Sequence, residues 1–169
     1  MKQPLTFFKS LAEEISGDDS IQTIEEVFID SRKQVDNGLF VPIRGERFDG
    51  HDFLLPAIEK GAVASFWEKD HPLPEDVPET FPIYYVENTV DVLQKAAEKY
   101  LKLVKPHVVA ITGSNGKTTT KDILAEICKQ QYRTHKTVGN YNNHIGLPLS
   151  VLSMDEDCEL LILEMGMSG

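Results

Sequence analysis

The chain has 169 residues, room for one domain or two small ones. It carries 27 acidic and 17 basic residues, a formal charge of −10. That argues against a nucleic-acid binder, whose affinity rests on Lys and Arg neutralising phosphates. An apolar fraction of 41% suits a globular core, yet no apolar run approaches the ~20 residues that cross a bilayer. The N-terminus has no sustained apolar stretch of the signal-peptide kind, so a cytoplasmic protein without a membrane segment is expected.

In chain order, Phe7, Phe8, Leu11 and Ile15 fall at helical spacing and predict a helix over 5–15. Residues 16–20 form a loop. Two short strands follow over 27–29 and 39–43, with the turn signal Asp36-Asn37-Gly38 between them. A helix over 52–60 is stopped by Gly61. A strand over 62–67 leads into an acidic loop punctuated by Pro72, Pro74, Pro78 and Pro82, then a strand over 83–86. The punctuation divides the chain into 1–87 and 88–169.

The second part opens with a helix over 89–103, whose Val90, Leu93, Ala97, Tyr100, Leu101 and Val104 make one apolar stripe, ended by Pro106. Residues 107–112 are a nearly all-apolar strand, as in a parallel sheet covered on both faces. A helix over 117–130 and strands over 132–138 and 159–165 complete the pattern. Strands alternating with helices predict an α/β fold with a parallel sheet. Cys128 and Cys158 are too few for a disulfide framework and lack metal-ligand spacing; two buried thiols in a reducing compartment are expected.

The strongest chemical signal is Thr112-Gly113-Ser114-Asn115-Gly116-Lys117-Thr118-Thr119, at a strand-to-helix junction. Small residues let backbone N–H groups close around phosphate oxygens, and the helix N-terminus adds partial positive charge. Lys117 would reach the terminal phosphates and the Thr118 hydroxyl a Mg²⁺ ion. The general P-loop has a Gly five residues before Gly116; here that position is Ile111, so the loop is a shorter variant. Glu164 ends an apolar strand, where a P-loop fold keeps the acid that helps hold the metal. Residues 137–148 crowd Asn140, Asn142 and Asn143 into one loop. Such amides suit phosphate and sugar contacts, but Asn also favours tight turns, and spacing leaves both readings open. His144 alone reads as a surface histidine.

Thr-Gly-Ser-Asn-Gly-Lys-Thr-Thr, then Gly-Asn-Tyr-Asn-Asn-His-Ile-Gly-Leu-Pro-Leu, then Glu-Met-Gly-Met resemble the Mur ligase family. Asp30-Ser31-Arg32-Lys33, Leu39-Phe40-Val41-Pro42 and residues 45–53 are similar to the uridine-nucleotide-binding domain of its D-alanyl-D-alanine-adding members, although Asp36-Asn37-Gly38 stands where a Pro-Gly turn is expected. The resemblance implies a small N-terminal α/β domain for a UDP-muramoyl peptide (1–87) and the start of a P-loop, parallel-sheet ATPase domain (88–169). It implies ATP and Mg²⁺, with UDP-N-acetylmuramoyl tripeptide and D-alanyl-D-alanine as substrates of a monomeric ATP-dependent amide ligase acting through an acyl phosphate. Carried over, Gly113, Ser114, Asn115, Gly116, Lys117, Thr118 and Thr119 bind the ATP phosphates, with Lys117 catalytic. Thr118 and Glu164 hold the metal, Ser31 and Arg32 line the uridine-nucleotide site, and Asn140 and Asn143 lie where the substrates meet. The rest of the central domain and a C-terminal domain are expected beyond residue 169, so that 1–169 alone would be an inactive N-terminal fragment. The ATPase loop alone would also suit a folylpolyglutamate or cyanophycin synthetase, but these should lack the Asp-Ser-Arg and 45–53 elements. A non-catalytic nucleotide- or UDP-sugar-binding module is the other alternative.

Overall fold

The computed structural model describes residues 1–20, 22–112, 116–137 and 143–165. The chain divides into two compact units, residues 1–95 and 96–169.

In the first unit, β1 (Gln3–Pro4) is followed by a 3-10 helix (Leu5–Leu11), β2 (Glu14–Ser16), β3 (Thr23–Ile24) and β4 (Glu26–Phe28). Then come β5 (Gly38–Phe40), a 3-10 turn (Gly50–Phe53), α1 (Leu54–Glu59), β6 (Ala62–Glu68) and β7 (Ile83–Val86); α2 (Thr89–Val104) runs across the division at residue 95. The main sheet has the order β2-β7-β6-β5-β4. β4 to β7 pair in parallel, with Val27 opposite Leu39 and Phe66 opposite Tyr84, while β2 runs antiparallel to β7, with Ile15 opposite Tyr84. β1 and β3 form a separate antiparallel pair. Phe28, Phe40, Leu54, Trp67 and Ile83 pack between the sheet and α1. Phe8 meets Phe66 edge-on at 6.2 Å between ring centroids.

The expected helix over 5–15 stops at Leu11. Ala12 turns extended, Glu13 donates its N–H to Tyr85 O at 2.9 Å, and Ile15 joins β2. The expected strand over 39–43 ends at Phe40, because Pro42 brings no N–H to a ladder. The helix expected over 52–60 divides into the 3-10 turn and α1. Gly61 ends it with φ +119°, and a Cβ there would lie 1.9 Å from Val35 O.

In the second unit, β8 (His107–Ile111) leads to α3 (Lys117–Cys128), β9 (Thr134–Lys136), α4 (Gly146–Leu152) and β10 (Leu160–Glu164). The sheet has the order β8-β10-β9, all parallel, with Leu161 opposite Val108 and Ile162 opposite Lys136. The central position buries Leu161, Ile162 and Leu163. β8 lies at the edge, so the two-sided cover expected for its apolar run falls to β10 instead; Val108 stays 50% exposed. The helix α4, with Pro148 in its first turn where a missing N–H costs nothing, was not expected from the sequence. Both cysteines are free; Cys158 is buried but Cys128 only half-buried.

The close approach at Gly61 gives a direct test. Gly61→Ala adds a Cβ against a backbone carbonyl and forces a left-handed φ, each unfavourable. A loss of at least ~2 kcal/mol is expected in urea denaturation. A melt unchanged from wild type would refute this packing.

Candidate nucleotide-phosphate site

The parallel pairing of β8 with β10 puts the loop after β8 and the end of β10 at the same sheet edge, where α/β proteins bind ligands. Gly116 precedes α3 in the left-handed region, φ +76°, with nothing within 4 Å of a would-be Cβ among the described residues; the torsion selects glycine there. Lys117 Nζ donates to Met165 O at 3.3 Å, just past the end of β10. Thr118 Oγ1 lies 3.1 and 3.2 Å from the two Glu164 carboxylate oxygens. Glu164 is buried, and its backbone N–H donates to Thr137 Oγ1 at 3.1 Å. The structure thus brings Lys117, Thr118 and Glu164 together. Thr119 is on the first turn of α3. Gly113, Ser114, Asn115 and Asn140 lie outside the described residues.

Lys121 was not anticipated. A lysine in a helix ordinarily reads as a solvated residue, yet Lys121 Nζ is buried 3.2 Å from Glu164 Oε2. Its spacing was the available signal. Positions 117, 118 and 121 share one helical face.

Asn143 serves the fold. Its Oδ1 accepts from the N–H groups of Ile145 and Gly146, at 3.1 and 2.6 Å, fixing the start of α4. That occupies the side-chain oxygen and leaves the amide nitrogen as the chemically distinct end.

In the first unit, a cleft of about 800 Å³ is lined by Asp30, Ser31, Arg32, Phe48, Phe53 and Lys60, among others. Phe48 is 69% exposed and meets Phe53 edge-on, with ring centroids 6.1 Å apart. Asp30 grips the Arg32 guanidinium through Nε and Nη2 at 2.9 and 3.0 Å, and those bonds hold the Asp30 carboxyl below its usual range. Arg32 is therefore oriented but still open to solvent, an arrangement suited to an anionic ligand.

The loop carrying Phe48 is anchored by His51. Asp49 Oδ1 accepts from His51 N and Nδ1, at 2.9 and 2.7 Å. His51 Nε2 accepts from the Glu68 N–H at 3.2 Å, which puts the ring proton on Nδ1. Burial pushes the imidazole pKa down against the pull of Asp49, so the ring is neutral at pH 7. His51 stacks on His71 at 4.0 Å. Buried Glu68 accepts from Arg44 Nε at 2.6 Å and from Thr89 N at 3.0 Å. Asp49, His51 and His71 are close enough together to hold a metal ion, but both His51 nitrogens are already committed to protein partners.

Residues 111–169 match the Mur ligase middle domain, and residues 23–101 match the Mur ligase family catalytic domain. The chain belongs to the Mur ligase family. It is 46% identical over 166 residues to the UDP-N-acetylmuramoyl-tripeptide–D-alanyl-D-alanine ligase of Bacillus subtilis, a match covering 95% of this chain and 36% of that protein. A crystal structure of MurF from Acinetobacter baumannii superposes with a TM-score of 0.82 at 26% identity, over 98% of this chain and 36% of the other. The MurF ligase of Thermotoga maritima in complex with ADP gives a TM-score of 0.71 at 39% identity, over 86% of this chain and 33% of the other. The chain spans about a third of the length of the Mur ligases it matches.

The two ends of Asn143 can be separated by mutation. Asn143→Ala is expected to lose ~1 kcal/mol, because two N–H groups lose their acceptor. Asn143→Asp keeps the acceptor and should melt like wild type, measured by circular dichroism. Equal losses in both variants would contradict a capping role.

Proposed function

We propose that this chain carries the uridine-nucleotide- and ATP-binding parts of a cytoplasmic, monomeric Mur ligase that joins D-alanyl-D-alanine to UDP-N-acetylmuramoyl tripeptide. Residues 1–87 form the substrate part and 88–169 the beginning of the ATP part. The observation that carries the reading is the convergence of Lys117, Thr118 and Glu164 where α3 starts and β10 ends. The names of the relatives and the ADP bound to the Thermotoga structure support it.

In the reaction proposed, the tripeptide's terminal carboxylate attacks the γ-phosphorus of ATP and ADP leaves. The amine of D-alanyl-D-alanine then displaces phosphate from the acyl phosphate, giving an amide. The chain's contribution is positioning and charge compensation, as in other phosphoryl transfers. The start of α3 offers N–H groups to the phosphates, and Lys117 exchanges its contact with a carbonyl for phosphate oxygens. The Thr118 hydroxyl and Glu164 carboxylate are hard oxygen donors and fit Mg²⁺, which when bound would offset charge on the phosphates. Ser31 and Arg32 orient the uridine diphosphate from the cleft, and Asn140 and Asn143 stand for the meeting point of the substrates.

Calorimetry on the chain tests these roles. Lys117→Ala removes a charged phosphate contact and should weaken ATP binding by roughly 10- to 100-fold with or without Mg²⁺. Thr118→Ala should weaken it only when Mg²⁺ is present. Equal responses of both variants to Mg²⁺ would merge the two roles and defeat the assignment. Arg32→Ala should lower affinity for UDP while leaving ATP binding unchanged; a loss of ATP binding instead would place Arg32 elsewhere in the mechanism.

A further inference from the structure

The buried pair of Lys121 and Glu164 is an uncommon device at a site meant for a cation. The Lys121 side chain is 2% exposed and that of Glu164 7%, at 3.2 Å. Among the described residues, Glu164 is the only salt-bridge partner of Lys121. A buried ion pair adds little stability over an apolar pair of similar volume, but removing one partner alone is costly. Stability by itself therefore does not explain why a lysine stands there.

The geometry gives another reason. Lys121 Nζ holds Oε2, while Thr118 Oγ1 lies 3.1 Å from Oε1 and 3.2 Å from Oε2. The ammonium thus fixes the rotation of the carboxylate and keeps one oxygen beside the Thr118 hydroxyl. It also puts a full positive charge within the immediate surroundings of any cation that Glu164 accepts. We propose that Lys121 is a built-in counter-cation of Glu164: a positioning residue that aims the carboxylate at Thr118 and sets how tightly the site takes a divalent ion. The proposal rests on the reading of Thr118 and Glu164 as the metal-holding pair. Its consequence is an order of events. With Lys121 already balancing Glu164, the site has weak affinity for a free divalent cation. The negative charge of a nucleotide phosphate tips the balance, so cation and nucleotide enter together.

Mn²⁺ binding, followed by electron paramagnetic resonance with and without ADP, tests this without recourse to catalysis. Wild type should bind Mn²⁺ weakly alone and tightly with ADP. Lys121→Met removes the competing charge and should bind Mn²⁺ without ADP on the order of tenfold more tightly. Lys121→Arg keeps the charge and should resemble wild type. An unchanged or weaker Mn²⁺ affinity in Lys121→Met, beside a wild type that binds Mn²⁺ with ADP, would overturn the role of Lys121 and leave the metal-holding pair standing. A wild type that binds no Mn²⁺ even with ADP would remove the metal-holding pair and this proposal with it. If Lys121→Met does not fold, the double variant Lys121→Met/Glu164→Gln should, since neither charge is then left alone. Failure of that rescue would also count against the pair.

Discussion

A carboxylate withdrawn from water must be compensated, and around Glu164 the second unit is arranged to do so. Its strand lies between two others, and the side chain at its end is buried. A hydroxyl from the first turn of α3 and an ammonium from the second reach it, while a third group, the Thr137 hydroxyl, fixes its backbone N–H. All three depend on β10 entering between β8 and β9. Without that insertion, the start of α3 and the Glu164 carboxylate would belong to separate parts of the sheet.

The first unit uses buried charge differently. Glu68 ends β6 and is neutralised by Arg44, while its backbone N–H docks on His51. Asp49, both His51 nitrogens and Glu68 are engaged with protein partners, so the cluster braces the loop between β5 and α1. What the brace presents is the adjoining cleft, where exposed aromatic rings stand near the forked Asp30–Arg32 pair. Rigid support behind and open polar capacity in front are what a site for an anionic substrate requires.

Much of this was legible in the sequence where burial writes a simple pattern. β6, β7 and β10 are short apolar runs between breakers, and Gly116-Lys117-Thr118 marks the start of a helix after a strand. The approach of Thr118 to Glu164 follows from strand adjacency once the sheet is parallel. Other features left weaker traces. Ile15 fits a helical stripe and an alternating strand equally well; pairing with β7 decides between them. The helix α4 lies in a run rich in Asn, Gly and Pro, and its start depends on a side-chain cap that no periodicity reveals. Lys121 resembles any surface lysine until the carboxylate opposite it is known.

β8, at the edge of the sheet, carries one more consequence. His107 donates its N–H to Glu159 O, and Met165 returns a bond to Ile111 O, each at 2.9 Å, so alternate residues of β8 face β10. The N–H groups of Val108 and Ala110 then point the other way. In deuterated solvent the strand would not label as a block. Every second amide would exchange without waiting for the sheet to open, while its neighbours, and consecutive residues of β10, kept their protons longer.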